Sequence, residues 1–176
     1  MVFSSIIFLF LFLPLTLLLY FIAGKNLRNI ILLCASIIFY AWGEGFYVLI
    51  MFCSVFINYF SGILIERFRH NRLSKPLFFI SIFLNLGLLS IFKYSNFIVD
   101  NINFLLELIY IKPILLNPIH LPIGISFFTF QAISYVIDVY RDVTPSQKNP
   151  ISMALYIISF PQLIAGPIVR YHDIEK

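Results

Sequence analysis

Gln131, Tyr135, Asp138 and Asp142 stand at i, i+4, i+7 and i+11, in and just after the stretch LPIGISFFTFQAISYVIDVYR that runs from Leu121 to Arg141. On a helix that spacing puts an amide, a phenol and two carboxylates on one face, with Ser134 and Arg141 beside them. Such groups bind and orient a polar substrate, or they satisfy one another where water is absent. Two readings of the stripe therefore stand side by side: the wall of a substrate path, and a packed polar seam between helices. Asp138 and Arg141 fall within about 5 Å of the helix end, at about 1.5 Å per residue, so an interfacial ion pair between them is expected. Gln131 is ten residues from each end of the stretch. Its amide falls near the middle of any membrane the helix crosses and must find a partner there.

A second polar interruption lies in ISMALYIISFPQLIAGPIVRY, residues 151–171, where Pro161, Gln162, Gly166 and Pro167 break an apolar run and Arg170 follows. Broken backbone at membrane depth is tolerated where protein or a water-filled cavity takes up the freed hydrogen-bonding groups, so this segment is expected to line a cavity. The histidines are weaker candidates. His70 sits in a basic loop, His120 between prolines and His172 beside the last motif, all in solvated or interfacial contexts. The chain has no His-x-x-x-His, phosphate-cradling glycine loop or Ser/His/Asp spacing. Cys34 and Cys53 lie inside apolar runs, without the spacing of a disulfide framework or a zinc site, and no metal site is expected.

These residues need a membrane to position them. Apolar residues make up 61% of the chain and charged ones 11%, with a mean hydropathy of +0.96. Soluble domains hold roughly 45–50% and 25%. The net charge of +4 arises from cations gathered at the ends of apolar runs. That pattern marks topology and gives no reason to expect nucleic-acid binding. The first apolar run has no preceding Lys or Arg and is too long for a signal-peptide core, so it reads as a retained span.

The expected fold is all-α: a polytopic helical protein of the lipid bilayer, forming one membrane domain over residues 1–176. About six hydrophobic segments are expected, at residues 2–23, 29–42, 46–65, 76–98, 121–141 and 151–169, with an amphipathic interfacial helix in residues 99–120. The 29–42 run is only about 20 Å long, short of the roughly 30 Å hydrocarbon core. Lys25, Arg28, the loop ERFRHNRLSK of residues 66–75 and the link RDVTPSQKNP of residues 141–150 fall on one side, and Lys112 on the other. An excess of cations on the cytoplasmic side places the N-terminus outside the cytoplasm of a bacterial inner membrane, with Arg170 and Lys176 fitting that scheme if the last segment does not cross fully.

The opening MVFSS, then RNIILLCASIIFYAWGEG, FINYFSGILIE, LPIGISFFTFQAISYVIDVYR and FPQLIAGPIVRY, in that order, resemble the polysaccharide-acetylating branch of the membrane-bound O-acyltransferase (MBOAT) superfamily. The resemblance covers essentially the whole chain. It implies part of an MBOAT fold and an O-acetyltransferase. Acetyl-CoA or another acyl donor would be its substrate, with no bound cofactor. The acceptor would be an extracytoplasmic polysaccharide, reached through a partner protein outside. The family histidine acts as general base inside a water-excluding tunnel. It lies in the later half of longer proteins, and nothing here matches it, so the chain is expected to be an N-terminal portion, inactive alone. Gln131, Tyr135, Asp138, Arg141, Pro161, Gln162, Gly166, Pro167 and Arg170 carry over as scaffold or tunnel-wall residues. The alternative reading is a small transporter or channel-like protein whose path the same polar residues line.

Overall fold

A computed structural model describes residues 5–160, 162 and 171, and every regular element among them is helical. The chain opens with a wide i→i+5 turn over Phe8–Phe12, which leads into α1, Leu13–Ile22. Pro14 explains the widening, since proline donates no hydrogen bond and its ring crowds the carbonyl four residues earlier. The other helices are α2, Lys25–Glu44; α3, Val48–Arg67; α4, Ser74–Leu108; α5, Ile125–Tyr140; and α6, Pro150–Ile158. The runs Leu27–Arg67 and Ser74–Leu108 are long and apolar enough to cross a membrane.

Contacts far apart in sequence gather the connections at two ends. At the basic end, Arg69 pairs with Asp142, the Ser146 hydroxyl donates to Glu66, and the Tyr59 hydroxyl donates to the Lys148 carbonyl at 2.9 Å. At the other end, the Tyr40 hydroxyl donates to the Ile123 carbonyl at 3.1 Å and His120 lies 3.0 Å from the buried Glu44. The Tyr47 ring packs there against Phe92 and His120. Helices α2 to α5 therefore alternate in direction.

Several expected boundaries shift, each for a local reason. The second expected segment, residues 29–42, is too short at both ends, since α2 starts at Lys25. The helix instead runs through Glu44, and the chain reverses at Gly45, whose φ of 57° suits glycine. With 20 residues, α2 is about 30 Å long and matches the hydrocarbon core. The fifth segment begins at Ile125, because Gly124 takes a left-handed φ of 75° after Pro122. In the sixth segment α6 ends at Ile158, where Ser159 turns out of the helical region at ψ 115°, and Phe160 is helical again. Helix α6 itself is about 13 Å long; residues 161 and 163–170 lie outside the described residues.

The largest correction concerns residues 99–120. No separate interfacial helix forms in them; α4 continues to Leu108 as one helix of 35 residues, about 52 Å. Since Phe92 is level with Tyr47 and His120, the last 16 residues, 93–108, project about 24 Å past the bundle. Residues 109–121 return along this arm. Asn103 bonds both backbone groups of Ile114 (3.0 and 2.7 Å), and Asn96 bonds both of Ile119 (2.8 and 2.9 Å). The polar residues that suggested a surface-lying helix hold a returning strap.

The core surrounds α5. Its stripe of Ile125, Phe128, Ala132, Tyr135, Val136 and Val139 is buried among Met51, Val55 and Ile65 of α3 and Leu89 of α4. Large apolar side chains such as Phe56, Phe60, Phe79 and Phe83 face outwards, as does Cys53. In lipid these faces give no hydrophobic drive for helix association, and polar contacts gain weight. Asn58 and Asn85, both buried, exchange amide hydrogen bonds at 2.9 and 2.8 Å across α3 and α4, and each also donates to a carbonyl of its own helix.

The end of α5 shows how one ion pair fixes a loop. Asp142 sits at φ 61°, while Val143 N–H donates to the Asp138 carbonyl and Asp142 N–H to that of Val139. This is the helix-ending pattern usually built on glycine. Arg69 donates to the Asp142 carboxylate and, at 2.9 Å, to the Val139 carbonyl, one of the carbonyls at the negative end of the helix. The expected Asp138/Arg141 pair does not form. Arg141 is exposed, Asp138 Oδ2 is buried without a hydrogen-bond partner, and the carboxylate that finds an arginine is Asp142.

Two outcomes follow for purified protein in detergent. Asn58→Ala or Asn85→Ala strands a buried amide and costs about 1–3 kcal/mol. The Asn58→Leu/Asn85→Leu double variant costs less than the sum of the two alanine variants, read by thermal or denaturant unfolding. Asp142→Ala loses the ion pair and keeps the strained φ, so it is less stable than Asp142→Gly by about 1 kcal/mol. Equal stability of those two variants contradicts the strain argument.

Candidate functional site

The link between α5 and α6 is built around Gln147. Its backbone N–H donates to Tyr135 Oη at 3.0 Å and its side-chain amide donates to Tyr171 Oη at 2.7 Å. Gln147 Oε1 accepts from the Asn149 N–H at 2.9 Å. Asn149 then caps α6 by accepting from Ile151 N–H at 2.9 Å, with Pro150 in the first helical turn, where a missing N–H costs nothing. One glutamine thus ties α5, the start of α6 and Tyr171 together.

Tyr135 reaches Gln147 through a gap left by Gly62 of α3. A Cβ at Gly62 would lie 2.2 Å from Tyr135 Oη and under 3 Å from two of its ring carbons. Tyr135, Tyr156 and Tyr171 then form an aromatic cluster. The Tyr171 ring stands edge-on to Tyr135 at 5.1 Å and to Tyr156 at 5.3 Å.

Gln131 lies one turn deeper and is fully buried. Its amide donates to the Tyr156 carbonyl at 2.7 Å and to Gln162 Oε1 at 3.3 Å. The partner that its depth required is therefore on the adjoining, broken segment. Its own Oε1 is buried and has no hydrogen-bond partner.

Beside this cluster is a cavity of about 530 Å³, lined by Asn29, Gln147, Ser152, Leu155, Tyr156, Ser159, Gln162 and Tyr171. Because Asn29 and Gln147 belong to the basic end, the cavity lies on that side. Its described lining holds amides, hydroxyls and phenols and no charged side chain. Such a lining binds a neutral ligand rich in amides and hydroxyls, and orients it without supplying a strong base.

Of the residues singled out from sequence, Gln131, Tyr135 and Gln162 come together here, with Gln162 alone among them on the cavity wall. Asp138 sits at the side of the cluster. Arg141 points away from it, and Asp142 is used in the Arg69 pair. Pro161, Gly166, Pro167 and Arg170 lie outside the described residues, as does His172. Sequence reasoning missed Gln147, Tyr156 and Tyr171. Gln147 looked like an ordinary loop polar residue, and the available signal was two tyrosine hydroxyls in apolar segments that would need partners. Of the histidines described, His70 is exposed in the α3–α4 loop and His120 packs at the opposite end against Glu44 and Tyr47. Neither reaches the cavity.

The chain is similar along its length to curated proteins. A probable alginate O-acetylase, AlgI, of Pseudomonas aeruginosa is 43% identical over 175 residues, covering 99% of this chain and 34% of the relative. The corresponding protein of Azotobacter vinelandii is 41% identical, covering 99% and 35%. A peptidoglycan O-acetyltransferase of Helicobacter pylori is 31% identical, covering 98% and 38%. The chain thus spans about a third of the length of the curated relatives it matches. The resemblance read from the ordered motifs holds over the whole chain. None of these three is named as a transporter or channel, and that alternative finds no support in them. No protein-family model and no solved structure matches the chain.

Gly62→Ala tests the notch that admits Tyr135. Overpacking there lowers stability by roughly 1–3 kcal/mol. In a Tyr135→Leu background, where the hydroxyl and ring tip are gone, the same Gly62→Ala change costs clearly less. Equal penalties in both backgrounds, measured by unfolding in detergent, contradict the fit.

Proposed function

We propose that this chain is the N-terminal part of a membrane O-acetyltransferase that carries acetyl groups from a cytoplasmic donor to a cell-surface polysaccharide. The observation that carries the proposal is the 41–43% identity over 99% of the chain to proteins named alginate O-acetylases. The H. pylori relative, named for peptidoglycan, widens the acceptor to polysaccharides generally.

In this reading the basic end faces the cytoplasm, because cations concentrate on that side of inner-membrane proteins. The N-terminus and the projecting arm of α4 then lie outside, and the chain forms one membrane domain of about six hydrophobic segments, the last of them incomplete as a crossing. The cavity beside Gln147 opens towards the donor. Acetyl-CoA, or a related thioester donor, presents an arm with two amides, which suits a lining of Asn29, Gln147, Gln162 and serine and tyrosine hydroxyls. Transfer breaks the donor C–S bond and forms a C–O bond to an acceptor hydroxyl, whose proton must be taken by a base. The described residues hold and orient the donor and keep water from the thioester. The base belongs to the part of the protein that the relatives possess beyond the matched third. An extracytoplasmic partner protein would pass the group to the polymer, with the arm of α4 on that side.

A chimera tests this reading. In the P. aeruginosa relative, the matched segment is replaced by this chain, and the acetyl content of the exported polymer is measured in cells lacking the native protein. Acetylation is restored, and Gln147→Leu in the chimera lowers it with unchanged membrane levels. This chain expressed alone transfers no label from acetyl-CoA. Absence of polymer acetylation from a chimera that inserts normally overturns the proposal.

A further inference from the structure

A groove of about 340 Å³ runs along the outside of the α3–α4 pair. Phe56 and Leu64 of α3 and Leu77 and Leu84 of α4 form its walls, and the small side chains of Ser61 and Ser81 lie between them. From Leu64 to Phe56 the groove is about 12 Å long, close to the roughly 15 Å depth of one leaflet's hydrocarbon. It lies next to the basic end, directly beneath the loop that joins its two helices.

That loop and the helix ends beside it carry exposed Arg67, Arg72 and Lys75. Among the described residues none of the three has an acidic partner. The nearby carboxylates are committed elsewhere, Asp142 to Arg69 and Glu66 to the Ser146 hydroxyl. A cluster of free cations at the membrane surface and an apolar groove of leaflet depth below it match the two ends of one molecule. The groove faces away from the cavity beside Gln147, whose lining comes from α2, the link before α6, α6 and residues after it.

We propose that the α3–α4 groove is a specific site for an anionic phospholipid. The phosphate sits on Arg67, Arg72 and Lys75, and one acyl chain lies between Phe56, Leu64, Leu77 and Leu84. Here the lipid that covers an outward apolar face meets both a groove and positive charge with no acidic partner among the described residues. Juxtamembrane arginines and lysines attract anionic headgroups, and basic pockets between spanning helices retain them. The lipid fills the space that Ser61 and Ser81 leave open and ties the basic loop to the helix pair.

The test uses the full chain, purified into nanodiscs of phosphatidylcholine with increasing phosphatidylglycerol. The melting temperature rises with phosphatidylglycerol, and native mass spectrometry finds that lipid retained over phosphatidylcholine. In Arg67→Gln/Arg72→Gln/Lys75→Gln, a surface variant expected to fold, the retention ratio falls to about one and the stabilisation disappears. Ser61→Leu, which fills the groove, weakens retention with the charges intact. Glycerol phosphate, the headgroup without its chains, gives no stabilisation. Undiminished selectivity in the triple variant overturns the proposal, as does equal stabilisation by glycerol phosphate.

Discussion

A polar group in the hydrocarbon of a membrane has no water to turn to, and this bundle is arranged around meeting that constraint. Asn58 and Asn85 fix α3 against α4 because each amide both gives and receives a hydrogen bond. The exchange works in one register, since sliding either helix by a turn breaks both bonds. Gln131 imposes the same demand on α5 and meets it with the Tyr156 carbonyl of α6 and the Gln162 side chain. With apolar surface indifferent between helix and lipid, such amides choose the pairing of helices.

Helix α5 transmits these choices to the cavity. One side packs its apolar stripe on α3 and α4, while Gln131 and Tyr135 face the link and α6. The Gly62 notch allows Tyr135 to reach Gln147, which then orders the start of α6 and holds Tyr171. The cavity wall is therefore set by residues in four separate parts of the sequence. Gly62 on α3, absent from the cavity lining, leaves the room in which Tyr135 packs against the two tyrosines of the wall.

Charge at the basic end follows a similar division of labour. Arg69 is spent on an internal task, closing α5 around the left-handed Asp142. Arg67, Arg72 and Lys75 have no such task and remain at the surface above the α3–α4 groove. At the opposite end, Asn96 and Asn103 use both halves of their amides to hold a returning strap to α4. Asparagine serves one purpose in the bundle and another on the arm, although in the sequence the residues look alike.

The membrane setting, the helical class, the basic end and the need of Gln131 for a partner were legible in the sequence, because composition, apolar run length and depth along a helix are local properties. The identity of the partners was not legible. Asn85 is 27 residues from Asn58, Tyr156 is 25 from Gln131, and Asp142 is 73 from Arg69. Nothing in the spacing of Asp138 and Arg141 says that Asp142 will take an arginine from another loop. The polar residues between Asp100 and Lys112 fitted a surface helix as well as an arm with a strap, and the choice rests on backbone amides that return only after Pro113 and Pro118. Helical class and depth are written residue by residue. Hydrogen-bond partners across helices are decided when the tertiary structure brings distant amides within 3 Å, where each can be satisfied by only a few neighbours.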